Sequence, residues 1–239
     1  MLSLHWKKIV IVLSLLSLSE WSFSQERIKY QPDYDAKRVH FGYFLGLATT
    51  TYKLRFNNAY LADINKTIYA ITSPSSSGIK AGGVVNFHIN DYFDFRIAPL
   101  SVSIYARKLL ENDSIQHNQV DKAWFEIPMI LKYKSERRHN SRMFIFGGVK
   151  YGFETNVVNK KAGVAQINNF STKTSDFCIE YGMGLELFRE YFKVTPELHF
   201  SHGIKNMINP GANGISKTNF LSYIDRMNTH SVTFFLVFQ

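Results

Sequence analysis

The residues that could do chemistry in this chain are histidines, carboxylates and serines, and their spacing forms no recognisable site. Among the histidines, only His199 and His202 are close together. On a β-strand, residues three apart point to opposite faces, so these two rings cannot easily chelate one metal ion. The carboxylates Glu180 and Glu186 lack a companion cleft motif, and no serine, histidine and aspartate grouping has a recognisable setting. The sequence therefore predicts no catalytic, cofactor-binding or metal-binding residues and no small-molecule substrate.

Two alternatives to this non-catalytic interpretation can be weighed. The glycine pairs Gly82-Gly83 and Gly147-Gly148 lack the strand–loop–helix context of a phosphate-binding loop. Glycines of this kind more often let strands bend and bulky neighbours pack. Catalytic triads are defined by geometry rather than spacing, so a hydrolase or acyltransferase at the rim of a barrel stays open as the enzymatic alternative.

The N-terminus has the features of a secretory signal peptide. Lys7-Lys8 forms a basic region, residues 9–18 form an apolar run, and small residues precede Gln25. The run is shorter than the roughly 20 residues that a membrane-spanning helix needs, although a membrane anchor is the alternative. We therefore expect a signal peptide over residues 1–24. We divide the rest of the chain into a periplasmic lead over 25–38 and a barrel domain over 39–239, for which the hydrophobic alternation of the segments between 39 and 238 is the evidence.

The composition favours an exported membrane barrel. Cys178 is the only cysteine, so no intramolecular disulfide can stabilise the exported chain. Aromatic residues make up 15% of the sequence, with 20 Phe and 13 Tyr, which is typical of strands that face lipid. The net charge is +9, but the Lys and Arg residues are spread along the chain. This distribution favours a surface that faces solvent, membrane lipids or lipopolysaccharide, and argues against a nucleic-acid partner.

Hydrophobic alternation predicts the fold. In residues 174–188, for example, Phe177 and Ile179 take one face of a strand while Cys178 and Glu180 take the other. Repeated dyads of this kind predict an all-β fold, an eight-stranded antiparallel up-and-down transmembrane β-barrel. The phase is lost near Pro99, which predicts a bulge. The predicted strands are 39–56, 78–89, 93–106, 122–134, 142–157, 174–188, 192–203 and 229–238.

The connections between these strands alternate strictly in length. Outer-membrane barrels have short periplasmic turns and long extracellular loops. The pattern therefore predicts location in the cell outer membrane, with both termini periplasmic and four long loops outside. The closing aromatic strand at 229–238 is typical of a signal for outer-membrane insertion, and a soluble lipocalin-like barrel is the alternative fold. The short connections are 90–92, 135–141 and 189–191, and the long ones are 57–77, 107–121, 158–173 and 204–228.

The predicted interior is charged. An eight-stranded barrel is only wide enough for side chains to fill it or for one small ligand. Buried charges persist when they are paired, so an ion-pair network that plugs the lumen is expected, with an ion-selective pathway as the alternative. The inward acids are Asp94, Glu126, Glu154, Glu180, Glu186 and Glu197, and the inward bases are Lys80, Arg96, Lys132, Lys150 and Lys193.

Several segments resemble a known family. The runs WFEIPMILKY at 124–133 and FIFGGVKYG at 144–152 resemble the outer membrane protein beta-barrel domain family. More narrowly, the chain resembles the PorT (SprT) family of the type IX protein secretion system. That likeness rests on HFGYFLG at 40–46, EYFKVTPEL at 190–198 and YIDRMNTH at 223–230.

The narrower resemblance implies a function. A PorT-like protein supports export of cargo proteins and the gliding motility coupled to it, as a subunit that is not the conduit. Its partners are then other type IX secretion subunits, and it needs no cofactor. The loops 57–77 and 204–228 are the expected contact surfaces, because function concentrates in long loops on a rigid scaffold. The alternative is a general small barrel for adhesion or envelope stability, with no secretion role.

Overall fold

The computed structural model describes residues 28–58, 60, 70–105, 107–112, 115–118, 122–155, 172–209 and 223–239. The predicted signal peptide, residues 1–24, lies outside the described residues, as do residues 59, 61–69 and 210–222 of the two loops expected to contact partners. Within the described ranges, no helix is both long enough and apolar enough to cross a membrane.

The elements of the described residues include eleven strands and a short 3-10 helix, η1, at Tyr34–Ala36. Eight of the strands pair with their neighbours along the chain in the order β1, β3, β4, β7, β8, β9, β10, β11. The antiparallel pairing of β11 with β1 closes the barrel. The strands are β1 Val39–Phe56, β2 Ile71–Thr72, β3 Ser76–His88, β4 Phe93–Tyr105, β5 Lys108–Glu111, β6 Ile115–Asn118, β7 Lys122–Lys134, β8 Ser141–Thr155, β9 Ser175–Phe188, β10 Lys193–Gly203 and β11 Ile224–Phe238.

This topology confirms the predicted eight-stranded antiparallel up-and-down barrel. The predicted strands agree with the observed ones to within about two residues, except that β11 begins at Ile224 instead of residue 229. The expected irregularity near Pro99 is present, because the register of β4 against β7 shifts between Ile97 and Val102. Proline lacks the N–H that a regular ladder requires there.

The structure also contains a second sheet that the sequence did not predict. Strands β2, β5 and β6 form a three-stranded sheet within the connections that were expected to be loops. Strands of two to four residues are too short to show a periodic signal. The sheet lies at the barrel end that carries the long connections, which we call the loop end.

The opposite end, which we call the turn end, carries the short connections 89–92, 135–140 and 189–192. Gln239 also lies at this end, where its backbone pairs with Lys193. The N-terminal lead, of which residues 28–38 are described, reaches the same end, because Asn140 in one short turn bonds it directly. The alternation of long and short connections is therefore confirmed.

The outer wall of the barrel is apolar and the inner wall is largely polar. On β1, Leu45 and Leu47 are 57% and 68% exposed, while Phe44 before them and Ala48 after them are buried. The same alternation runs through the other barrel strands, so the exposed apolar side chains form a continuous outward surface suited to lipid. Rings pack against one another near the turn end, for example Phe93 against Tyr133.

Glycines allow close approach of neighbouring strands in this wall. A Cβ atom on Gly148 would lie 2.1 Å from the carbonyl oxygen of Met129 and 2.7 Å from the Cα of Ile130. The next residue towards the N-terminus, Gly147, has no heavy atom within 4 Å of the corresponding position. A comparison of the same substitution at Gly148 and at Gly147 therefore separates the effect of backbone crowding from the general effect of replacing a glycine.

We expect Gly148→Ala to destabilise the barrel by about 1–3 kcal/mol, because the backbone of β7 must move to admit the methyl group. Gly147→Ala, the matched control, should leave the stability within about 0.5 kcal/mol of the original chain. Urea unfolding of the two refolded variants in lipid vesicles measures both values. Equal losses would show that crowding against β7 is not the cause.

Candidate functional site

The lumen is filled by ionised side chains that pair across the barrel, which we call the lumen network. Its most buried centre is the carboxylate of Glu186 on β9. Lys132 and Lys193 donate to Glu186 Oε1 at 2.7 and 3.0 Å, and Arg142 Nε donates to Oε2 at 2.7 Å. Glu186 and both lysines have no exposed side-chain surface. One anion thus holds three cations at the turn-end side of the lumen.

A second group in the network lies deeper in the lumen. Arg96 Nη1 donates to Glu197 Oε1 at 2.5 Å. The ring of His199 lies between two carboxylates, with Nδ1 2.6 Å from Glu180 Oε1 and Nε2 2.9 Å from Glu197 Oε2. All four side chains are buried. The imidazole therefore links strands β9 and β10 through charged hydrogen bonds inside the barrel.

The third group joins strands β3, β7 and β8. Lys80 Nζ donates to Glu126 Oε2 at 2.6 Å, and Lys150 Nζ lies 3.4 Å from Glu126 Oε1. A cavity of about 30 Å³ lies beside these groups, with Arg96 and Glu180 in its wall. A water molecule needs roughly 10–15 Å³ of such volume, so the cavity has room for very few waters. The lumen at this level is packed.

A fourth group lies at the turn end of β4. Asp94 Oδ1 accepts from Lys134 Nζ at 2.5 Å and lies 3.1 Å from His88 Nδ1. Its other oxygen accepts from Asn86 Nδ2 at 3.0 Å. Asp94 is buried, so these partners replace the hydration that its carboxylate loses on folding.

The predicted plug of ion pairs is confirmed, with additions. Ten of the predicted inward charges pair in these four groups, whereas Glu154 is only half-buried near the loop end. Lys134, Arg142 and His199 also belong to the network and were missing from the predicted set. Their positions continue the alternation that placed Lys132 and Glu197 inside, so the pattern contained the signal. The predicted members that pair are Asp94, Glu126, Glu180, Glu186, Glu197, Lys80, Arg96, Lys132, Lys150 and Lys193.

The lead closes the turn end of the lumen. Arg142 Nη1 and Nη2 donate to the two oxygens of Asp35 at 3.0 and 3.1 Å, in a bidentate pair. The Tyr34 ring stacks on His40 with centroids 3.9 Å apart, and Lys193 Nζ lies 4.3 Å from the Tyr34 ring centroid. Burial raises the pKa of the Tyr34 phenol well above its ordinary value, and the nearby Glu186 carboxylate adds to the effect.

The short turn 135–140 holds the lead in place. Arg137 Nη1 donates to the carbonyl of Gln31 at 3.0 Å, and Nη2 donates to the carbonyl of Tyr30. Asn140 bonds the lead twice, accepting from Tyr30 N at 2.9 Å and donating to the carbonyl of Ile28 at 2.8 Å. The guanidinium of Arg137 also lies 3.7 Å from the ring centroid of Phe188. We call residues 28–38 together with these contacts the turn-end cap.

The loop end is closed by apolar packing. Tyr52, Tyr105 and Trp124 from the barrel strands pack with Leu109 of the small sheet and Met207 beyond β10. Arg107 lies within this cluster, with its guanidinium 4.4 Å from the Tyr105 ring centroid, and its Nε donates to Thr50 Oγ1 at 2.7 Å. The described part of the lumen is therefore closed at both ends and paired in between, an arrangement suited to rigidity.

A comparison of the sequence with protein families agrees with the barrel fold. The outer membrane protein beta-barrel domain family matches residues 23–209, most of the chain. The chain belongs to this family. A search of curated proteins found no match.

A comparison with solved structures found similarity to several outer-membrane proteins. The chain is 11% identical to OprG of Pseudomonas aeruginosa, with 84% of this chain and 95% of that chain covered and a TM-score of 0.44. It is 12% identical to Ail, the attachment invasion locus protein of Yersinia pestis, with coverage of 84% and 99% and a TM-score of 0.39. It is 8% identical to the outer membrane protease OmpT of Escherichia coli, with coverage of 89% and 97% and a TM-score of 0.41.

Family membership places this barrel in the outer membrane, as the sequence predicted. The apolar outer wall contacts the membrane lipids. In barrels of this kind the short turns and both termini are periplasmic, so the turn-end cap lies on the periplasmic side and the small sheet lies outside.

Proposed function

We propose that the chain is a non-catalytic and non-conducting outer-membrane subunit of the type IX protein secretion system. It supports export of cargo proteins and gliding motility through contacts with partner subunits. The observation that carries the first part is the lumen network, in which Glu186, Glu197 and Glu126 are buried and paired with cations. A protein with a plugged lumen has to act through its loops, its outer wall or its cap.

The secretion role rests on the PorT-like segments at 40–46, 190–198 and 223–230. The proposal includes cleavage after Ser24, which leaves a lead over 25–38 and a barrel over 39–239. Its partners are other type IX subunits, with lipids and lipopolysaccharide around the wall. The expected contact surfaces remain the loops 57–77 and 204–228, now without the residues that belong to β2, β3 and β11, because recognition concentrates in loops on a rigid scaffold.

The test is to delete the gene in its own host and to compare secreted with retained cargo that bears the C-terminal type IX signal. We expect retention of this cargo in the deletion strain and normal export after complementation with the intact gene. Normal export in the deletion strain would exclude a necessary secretion role, and adhesion and envelope integrity would then be measured in the same strain.

A second strain locates the contact surface. This strain is the deletion strain complemented with a variant gene, in which residues 61–69 are replaced by a glycine-serine segment of equal length. The replacement leaves every barrel strand unchanged. We expect this strain to retain cargo while the barrel reaches the outer membrane at its ordinary level. Glu190→Gln, a change at an exposed turn position on the opposite side of the membrane, is the matched control and should restore export fully.

A further inference from the structure

Two histidines on the outer wall face each other across a pair of strands. His202 on β10 and His230 on β11 are directly opposite in the register, and their Nδ1 atoms are 2.9 Å apart. No sequence motif connects them, because they are 28 residues apart. His199, the histidine that is close to His202 in sequence, points into the lumen as expected from the alternation.

The pair lies where the apolar wall ends towards the outside. Phe200 precedes His202 on the outward face of β10, and Val232 follows His230 on the outward face of β11. In the other direction the next outward residue of β11 is Asn228, which donates to the carbonyls of Gly203 and Lys205. Both rings are half-buried, so each is held by its surroundings and keeps some exposed surface.

We propose that His202 and His230 bind a divalent transition-metal cation of the Cu²⁺ or Ni²⁺ type through their Nδ1 atoms. Two metal–nitrogen bonds of about 2.0–2.1 Å at a right angle place their nitrogens about 2.9 Å apart. The observed separation is 2.9 Å. Right angles between ligands belong to square-planar and tetragonal Cu²⁺ and Ni²⁺, and imidazole is a suitable ligand for both ions. Water molecules complete the coordination shell.

Tyr181 orients one of the two ligands. Its hydroxyl oxygen lies 3.0 Å from His202 Nε2, and the two rings stack with centroids 5.5 Å apart. In the proposed site, Nε2–H of His202 donates to this hydroxyl, which leaves the Nδ1 lone pair free for the metal. His230 donates its Nδ1 proton to His202 in the metal-free form, and on metal binding that proton moves to Nε2 of the same ring.

The nearest cationic neighbour on the adjoining strand does not block the site. Lys53 faces Asn228 in the register, two residues from His230, and its side chain is exposed. Solvent and salt screen the charge of an exposed ammonium group, and the flexible side chain of a lysine lets that group turn away from the site. Thr51, which faces His230 directly on β1, is uncharged.

The test uses the untagged mature chain refolded in detergent in a buffer without metal-binding components. CuCl₂ is titrated while the electron paramagnetic resonance spectrum and the heat of binding are recorded. We expect one Cu²⁺ per chain with two nitrogen ligands, and a higher unfolding temperature in the presence of Cu²⁺, since the metal joins two strands. A wild-type chain without a two-nitrogen signal at equimolar copper would overturn the proposal.

Four variants locate the site. His202→Phe and His230→Phe keep a ring on the wall and should each lose the two-nitrogen signal. Tyr181→Phe removes only the orienting hydroxyl and should weaken binding by about tenfold, as loss of a partner behind a metal ligand does. His139→Asn alters an exposed turn histidine with φ of 55°, a backbone conformation that asparagine accepts, and should leave binding unchanged. Unchanged binding in both phenylalanine variants would overturn the proposal.

Discussion

Replacing Glu186 by glutamine is expected to lower the free energy of unfolding of the barrel by about 3–5 kcal/mol. The change removes the negative charge but keeps the shape of the side chain. Lys132, Lys193 and Arg142, which share this carboxylate, would then be buried close together. Among the described residues, the half-buried Asp35 on Arg142 would be the only anion still paired with any of the three. Leaving buried charges without a partner is among the most destabilising changes known in proteins.

The measurement is urea unfolding in lipid vesicles, followed by tryptophan fluorescence. Trp124 is the only tryptophan after the predicted cleavage site, and it is buried, so its emission reports on unfolding. Glu190→Gln makes the same chemical change at an exposed turn position and should shift the stability by less than about 0.5 kcal/mol. Adding Lys132→Met to Glu186→Gln should recover part of the loss, because one of the unpaired cations is removed.

A loss of less than about 1 kcal/mol for Glu186→Gln would contradict the assignment of Glu186 as the centre of the turn-end group, because that value is typical of exposed ion pairs. Failure of the double variant to recover any stability would show that Lys132 is not coupled to Glu186. Both results test the contact between Glu186 and Lys132, the first by removing the anion and the second by removing the cation as well.

Loosening the turn-end cap is expected to admit water-soluble reagents to the lumen. The variant is Tyr34→Ala with Asp35→Asn, which removes the ring stacked on His40 and the bidentate partner of Arg142. The barrel strands are unchanged, so the fold should be retained. If the cap loses about 1.4 kcal/mol or more, the open form becomes at least tenfold more populated.

A cysteine placed at Thr195 reports on this opening. Thr195 is fully buried on β10, two residues beyond Lys193, whose ammonium lies against Tyr34. In a Cys178→Ser background, Thr195→Cys should react slowly with a charged thiol reagent when the cap is intact. The rate should rise about tenfold or more in the cap variant. Asp33→Asn is a control, because Asp33 lies beside η1, is exposed and makes no side-chain cap bond there.

An equal labelling rate with and without the cap changes would mean that the ion pairs alone exclude the reagent, and that the cap has no barrier role. A rise in the Asp33→Asn control as large as that in the cap variant would mean that the lead is loose in general. Only a selective rise supports a barrier built from Tyr34 and Asp35.

The basic turn at residues 136–139 makes contacts in the folded protein that its local sequence does not predict. Taken alone, the basic residues of this short periplasmic connection suggest a surface for an acidic partner or a lipid head group. Arg137 instead donates to the carbonyls of Tyr30 and Gln31 and so binds the lead of its own chain. Arg138 and His139 are exposed and still offer charge on that side.

The sequence by itself determined the barrel, its strand number and the contents of its lumen. Alternation has a period of two on a strand, so it specifies which side chains face inward without knowledge of which strands touch. A long run such as 174–188 carries this signal several times over. The same pattern placed Glu186 and Lys132 inside before their contact was known.

Only the tertiary structure decided which of these side chains meet. The partners of Glu186 come from three other strands. The register between two strands cannot be read from the sequence of either strand alone. Tyr34 and Asp35 cap the lumen by contacting residues far from them in the chain. His202 and His230 likewise face each other across a long separation in sequence. Such contacts follow from barrel closure and shear, which are properties of all eight strands together.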